Sequence, residues 1–529
     1  MSSRERWLQL VTVVAVLVGA ALTVPFRHLW DPDESRYAEV TREMLASRQM
    51  LVPLLYGEPY PHKPPLYFWV QGALRACGAG WTPAAVIPSL VAFLGLVLLL
   101  PRLAEQLGLE RRTGMLAGAL LASSPLAIAF ALGGRMDMLL TLSHTLALYH
   151  LARLLGVGGT TENGLRTHLA FWACVTAGVL TNGPVALALP LLVALAMWAI
   201  HRRVVTLRPV LLGWGPLMAL AAVAIWLVPA AFAGGSGYLQ DILIRQTADR
   251  VVANPFAHPQ PFYFHLVTYP FTGLPWSPVI IVAAAHAWRR RHHDAPTFLA
   301  ASIVTLVLLF SAISGKLILY LLPIFPAAAL LAADALVRSL RGVRPALAVG
   351  AVLTGLVGIG FAVSQYFRAE MATEPWLVAA GGAAMAIPAL AAAVLAARSA
   401  EIDSRAVASL IAAGVAFAAV TLPVATKVLD PFVSVYGVAR TVAELEPGRD
   451  TGLVYEDRYP GLSLYADRQF AVLSTPAALR QALAGGRLVV IEEKDLRKIP
   501  PELRPPMAES KRILHRRRVI LLVRGDRGN

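Results

Sequence analysis

Two short charged clusters in an otherwise apolar chain carry the residues able to do chemistry. The first is Asp31-Pro32-Asp33-Glu34-Ser35-Arg36 and the second is Tyr60-Pro61-His62-Lys63-Pro64-Pro65. A carboxylate that orients or takes a proton, set near a cation that neutralises a departing anion, is the equipment needed to move a group off a phosphate. Asp33 is the candidate base, Glu34 stands beside it, and Arg36 is the nearest cation along the chain. Pro64 pushes Lys63 into an extended conformation and the prolines stiffen the segment. A fixed, compact positive charge suits an anionic headgroup, and the adjacent His62 is a residue type that ligates metals. Plainer readings stand beside these: an acidic first turn that serves only the helix dipole, and a loop lysine that snorkels to ordinary lipid phosphates.

These residues need elements to hold them. Asp31 as cap, Pro32 at the first helical position and Glu34 three after the cap read as a capping-box start. The helix is expected to run to about Arg48. At about 3.6 residues per turn, Asp33, Tyr37, Val40 and Met44 share one face, while Glu39, Arg42 and Glu43 look elsewhere. Asp33 therefore lies on the apolar stripe of a helix laid against a membrane or a membrane domain. An unpaired buried carboxylate is costly, so Asp33 requires a partner, a metal or a substrate, with Arg36 the nearest candidate.

The rest of the chain is largely lipid-soluble. Of 529 residues, 57% are hydrophobic and 15% charged, and the mean hydropathy is +0.60, which places it among polytopic α-helical membrane proteins. The formal net charge of +15 does not point to nucleic acid, because the arginines cluster in short loops on one side of the apolar runs, as the positive-inside rule requires. After a basic MSSRERW, the run Leu8–Phe26 reads as a retained first span. Further spans are expected near 84–101, 114–132, 138–155, 168–182, 184–200, 210–232, 264–288, 297–314, 317–337, 346–366, 376–397 and 406–425, about thirteen in all by the ~20-residue criterion. The implied division is a membrane domain over 1–426, with a first outside loop at 31–82 and a flexible outside loop at 233–263, followed by a domain over 427–529.

In that last segment, Gly452–Tyr455, Gln469–Leu473, Leu488–Glu492 and Val519–Val523 read as strands. Val435–Leu445 and a Thr475-capped Pro476–Ala484 read as helices. The sum is a small α/β domain. Its basic run Lys511–Arg518 could meet anionic headgroups or face solvent. Cys77 and Cys174 give neither a disulfide framework nor a metal motif, and no Gly-rich phosphate loop joins a strand to a helix.

Three further outside segments bear charge or a turn: Gly133-Gly134-Arg135-Met136-Asp137, Thr181-Asn182-Gly183-Pro184, and Ser314-Gly315-Lys316 before an apolar span. His144, inside the fourth span, reads as a packed histidine.

DPDESRYAEVTREML followed by HKPPLYFW resembles the first periplasmic loop of bacterial GT-C glycosyltransferases. More narrowly, it is similar to the lipid A aminoarabinose transferase family, related to the dolichyl-phosphate-mannose protein mannosyltransferases. The resemblance implies a multi-pass enzyme of the bacterial inner membrane, with its site facing the periplasm and working as a single copy among membrane lipids. It would take a sugar from a polyprenyl phosphate and give it to lipid A or another envelope glycan. In that reading Asp137 is a second acidic site residue, and Lys63, Arg36 and Lys316 meet the donor phosphate. In such enzymes an acidic residue before Lys-Pro-Pro pairs with a later histidine around zinc; here that position is His62, and His258 would be the partner. Asn182 is a departure, since similar chains often carry Lys-Gly-Pro at this turn. The rival class is a transporter or flippase of lipid-linked substrates, which should show internal repeats or matched broken helices; no such repeat is visible. A non-catalytic lipid-binding scaffold is a third class, supported only by the presence of a C-terminal domain.

The arginine asymmetry predicts the topology. Reporter fusions placed after Arg291 should report cytoplasm, and fusions after Gly448 should report periplasm; the reverse at either point overturns the assignment.

Overall fold

The computed structural model describes residues 3–159, 164–201, 205–242, 259–290, 292, 294–368, 371–456, 459–501, 504, 507–515 and 518–525. In hydrocarbon every backbone donor and acceptor must be satisfied within its own segment, so apolar runs of this composition become helices. The chain opens with α1 (Ser3–Thr23), then α2 (Asp33–Ser47), a two-residue hairpin of β1 (Leu54–Leu55) and β2 (Glu58–Pro59), and α3 (Leu66–Ala76). There follow α4 (Trp81–Gln106), α5 (Arg111–Ala122), α6 (Pro125–Ala131), α7 (Asp137–Leu155), α8 (Leu165–Asn182) and α9 (Val185–Ile200). Each range expected to span holds a helix or a broken pair. Among the described residues, eight helices are long and apolar enough to cross a membrane, or nine if α5 and α6, bent by 74°, form one span.

The final membrane helix differs from expectation. Ser404–Ala416 passes through a π-helical turn, Phe417–Thr421, into Leu422–Val433. Position 426 therefore lies inside a continuous helix, and the soluble domain begins beyond Val433. There the helix Tyr436–Leu445 leads into a five-stranded sheet made of β3 (Thr451–Tyr455), β4 (Gln469–Leu473), β5 (Val489–Glu492), β6 (Met507–His515) and β7 (Arg518–Gly525). The order is β4-β3-β5-β7-β6, parallel across β4-β3-β5 and antiparallel beyond. The described part of the basic run lies in the β6–β7 hairpin. Arg512 is paired with Glu493 and Arg518 with Glu492, and Lys511 bonds to Thr441. Helices Pro460–Ala466 and Glu493–Lys498 were too short to show a period in the sequence.

The start of α2 also differs. Asp31 does not cap it; Pro32 stands at the cap position and no side chain bonds the first turn. Asp31 instead accepts from Ser35 Oγ at 2.5 Å and from the Val435 backbone N–H at 3.0 Å. The face carrying Glu39 and Glu43 is buried as well: Glu43 accepts from the Tyr56 and Gly57 N–H groups, and the C-terminal domain packs against α2 through Leu464, which joins Leu29, Ala38 and Ala85. The opposite face holds to expectation: Tyr37, Val40 and Met44 pack with Tyr60, Tyr67, Phe68 and Met136.

Segments far apart in sequence meet beside this helix. Asp430, in the last membrane helix, accepts from the His28 backbone N–H at 2.9 Å and from Trp30 Nε1 at 2.9 Å, and its second oxygen lies 2.7 Å from His28 Nδ1. The His28 ring stacks on Tyr436 with centroids 3.6 Å apart, and the Leu29 N–H donates to the Tyr465 hydroxyl at 2.6 Å.

Small residues let the membrane helices approach closely. A Cβ added at Gly382, in the helix Pro375–Arg398, would sit 2.4 Å from the Gly358 carbonyl oxygen of the helix Val343–Val363. Gly382→Val is therefore expected to cost about 1–3 kcal/mol by overpacking, read as a lower melting temperature in detergent. Gly360→Val, on an exposed face with nothing within 4 Å, should leave it unchanged.

Candidate active site

The first turn of α2 carries two carboxylates, and the loop between α6 and α7 meets both. Glu34 is buried and committed to three donors: Arg27 at 2.6 Å, the Trp30 N–H at 2.9 Å and the Gly134 N–H at 2.8 Å. Gly134 has to be glycine, since a Cβ there would lie 2.8 Å from Ala85 Cβ. That close approach brings Arg135 to Asp33. The Arg135 guanidinium bonds the Asp33 carboxylate through Nη1 and lies 3.1 Å from Asp137 through Nε, while Ser89 Oγ holds its backbone carbonyl at 2.5 Å. Arg36, the cation expected as partner, is 3.6 Å from Asp33; the closer partner of Asp33 is Arg135.

Burial alone would raise the Asp33 carboxyl, but Arg135, with Arg36 and Lys63 behind it, outweighs burial and holds the group below its ordinary value. Burial opposes the charge on Arg135, and the two aspartates more than restore it, so its guanidinium is held more firmly protonated than usual. Glu39 shows the contrary balance. Burial dominates, Arg42 at 2.7 Å compensates only in part, neighbouring Glu43 adds repulsion, and the carboxyl is pushed up to about 7.

Asp33 and Arg135 border an open cavity of about 240 Å³, shared with Arg27, Trp30, Phe130 and Leu422. Its walls are charged around the start of α2 and apolar along α6 and the last membrane helix, a composition suited to an amphipathic ligand. The Arg27 guanidinium lies over the Trp30 ring at 5.2 Å. Lys63 does not line this cavity; its ammonium donates to the Asn182 side-chain carbonyl, near enough that its charge acts on Asp33.

The expected residues thus divide. Asp33, Arg36, Asp137 and Lys63 fall within one electrostatic set, and Glu34 borders it as a structural tie. Lys316 bonds the Gln260 carbonyl at 2.8 Å and the Ser314 carbonyl at 3.5 Å, beside the bridge Pro259–Gly315. His62 is exposed, its ring 4.9 Å from that of Tyr60, and His258 lies outside the described residues. Among the described residues, three or more His, Cys, Asp or Glu side chains nowhere gather as a metal site would need. Arg135 was visible in the sequence only as the neighbour of Asp137. The signal that could have singled it out is the need of a buried Asp33 for a cation from another segment. His144 is buried within α7, as expected.

A family model described as dolichyl-phosphate-mannose-protein mannosyltransferase matches residues 62–228. The chain is 34% identical over 343 residues to the undecaprenyl phosphate-alpha-4-amino-4-deoxy-L-arabinose arabinosyl transferase of Aeromonas salmonicida, covering 63% of this chain and 61% of that one. It is 30% identical over 367 residues to the protein of the same name from Pseudomonas paraeruginosa, covering 69% and 65%. The chain thus spans somewhat less than two thirds of the curated relatives it matches. Among solved structures, ArnT from Cupriavidus metallidurans bound to undecaprenyl phosphate superposes with a TM-score of 0.80 at 20% identity, over 98% of each chain. The oligosaccharyltransferase AglB from Archaeoglobus fulgidus gives 0.53 at 11% identity, over 93% of this chain and 70% of that one. The resemblance read in the first loop is therefore matched by the whole architecture, a polytopic fold of the GT-C type.

Arg135→Gln tests the electrostatic assignment. A carboxyl held low in the folded state contributes stability above its unfolded value and loses it as pH falls through the folded one. The variant should be less stable than wild type at pH 6 by on the order of 1–3 kcal/mol. That deficit should shrink as pH drops below the ordinary 3.8 of an aspartate. A deficit independent of pH would remove Arg135 from the control of Asp33.

Proposed function

We propose that this chain is a glycosyltransferase that moves a sugar from a polyprenyl phosphate to a hydroxyl or phosphate oxygen of an envelope lipid at the periplasmic face of the bacterial inner membrane. The observation that carries the reading is the grouping at the start of α2: an aspartate kept ionised by Arg135, within the field of a lysine on its other side, opening onto an amphipathic cavity. Similarity to the aminoarabinosyl transferases supports undecaprenyl phosphate aminoarabinose as donor, and the family resemblance of the first loop supports lipid A as acceptor.

The chemistry follows from charge. The bond from the anomeric carbon to the phosphate oxygen breaks, and its electron pair leaves on the polyprenyl phosphate. Lys63 and Arg36 supply positive charge where that anion develops, the kind of electrostatic stabilisation that contributes most to such steps. The acceptor oxygen forms the new bond to the anomeric carbon, and any proton it carries passes to the Asp33 carboxylate. A carboxylate held below its ordinary range is a weak base. Asp33 therefore acts mainly by orienting the acceptor, and takes the proton as the phosphate departs. Arg135 and Asp137 fix its position.

Mass spectrometry of envelope lipids from cells with and without the protein tests the activity. Asp33→Asn, nearly isosteric, should reduce transfer by a factor on the order of 10² to 10⁴ while still binding undecaprenyl phosphate. Lys63→Ala should weaken that binding roughly tenfold or more, the worth of a hydrogen bond to a charged group. Near wild-type transfer by both variants would move the site elsewhere.

A further inference from the structure

The partner of Lys63 is an amide, and its placement is unusually well fixed. Asn182 is the last residue of the eighteen-residue helix α8. Gly183 follows with φ 86°, a left-handed turn that glycine adopts readily, and its N–H closes on the Val179 carbonyl at 2.8 Å. Pro184 then precedes α9. The Asn182 side chain thus projects from a rigid corner between two helices. On the facing side Lys63 is followed by Pro64 and Pro65, both buried. Two stiff segments 119 residues apart meet in one hydrogen bond, from Lys63 Nζ to Asn182 Oδ1.

An amide oxygen does two things for a lysine that a carboxylate cannot do together. It selects one rotamer of a flexible four-carbon stem, and it adds no negative charge of its own beside the ammonium. The carboxyl end of α8, with its partial negative charge, favours the protonated ammonium in addition. We propose that Asn182 is the positioning residue for Lys63, aiming the ammonium at the phosphate of a polyprenyl monophosphate while its neutrality preserves the charge. This rests on the reading of Lys63 as the counter-charge of the donor phosphate.

The test is binding of undecaprenyl phosphate to the full-length protein in nanodiscs, for wild type, Lys63→Ala, Asn182→Ala, Asn182→Asp and the double variant Lys63→Ala/Asn182→Ala. Melting temperatures confirm that each is folded. Asn182→Ala is expected to weaken binding about three- to tenfold, and to have no further effect in the Lys63→Ala background, since a positioning residue acts only through the group it positions. Asn182→Asp should weaken binding at least tenfold at pH 7. Its deficit relative to wild type should fade only as the pH falls below the ordinary carboxylate value of about 4, because the Lys63 ammonium holds the new carboxyl low. Additive losses in the double variant, or wild-type affinity in both single Asn182 variants, overturn the assignment while Lys63→Ala still binds poorly. Absence of binding by the wild-type protein instead overturns the functional reading together with it.

Discussion

The guanidinium of Arg135, shared between Asp33 and Asp137, is the interaction around which the outer face is built. A carboxylate near the membrane surface is tolerated only with a cation in reach, and here the cation comes from a loop a hundred residues away. The same necessity recurs along α2. Glu34 takes Arg27 and the Gly134 N–H, Glu39 takes Arg42, and Glu43 accepts the Tyr56 and Gly57 N–H groups at 2.7 and 2.9 Å, pinning the small hairpin. The helix is thus located by a series of acids, each requiring its own partner, as much as by its apolar face. That series draws the segment after α1, the α6–α7 loop and the hairpin to one place.

What was legible in the sequence follows from how local each signal is. Hydrophobic length marked the membrane helices, and the 3.6-residue stripe identified Tyr37, Val40 and Met44 as inward-facing. Short motifs also marked Asp33, Lys63 and Asp137 as chemically promising. The capping box failed because Asp31 and Glu34 are engaged by Val435, Arg27 and Gly134, residues whose proximity no local pattern records. Glu39 and Glu43 were placed off the apolar stripe, and their burial comes from contacts no local pattern records, the hairpin N–H groups on Glu43 among them. Strand β6 was obscured for another reason. It is an edge strand, and its basic residues read as a charge run rather than as an alternating pattern. Arg135 was the costliest omission. Its importance comes from two aspartates on different helices, and pairing across helices leaves no periodicity to read.

The two sides of Asp33 differ in character. Toward the cavity, Asp33, Glu34 and Arg135 are already paired, and the lining adds the apolar Phe130, Leu132 and Leu422. Toward Lys63, the cation donates to a neutral amide, which adds no charge of its own. Such a division suits a reaction whose two substrates are both lipids but only one of which must surrender an anion. The asymmetry lies in the choice of an amide over a carboxylate at one position, Asn182, and in the firm pairing of Arg135 on the other side.

The junction of His28, Trp30 and Asp31 with Asp430, Val435 and Tyr465 also bears on how the protein is made. The segment entering α2 is held by residues about four hundred positions further along the chain. Until the final membrane helix is inserted and the domain behind it has folded, Asp31 lacks the Val435 N–H and the segment entering α2 lacks its anchor. The site is therefore registered only once Asp430, Val435 and Tyr465 are in place. A nascent or prematurely ended chain carries Asp33, Arg135 and Lys63 without the frame that registers them.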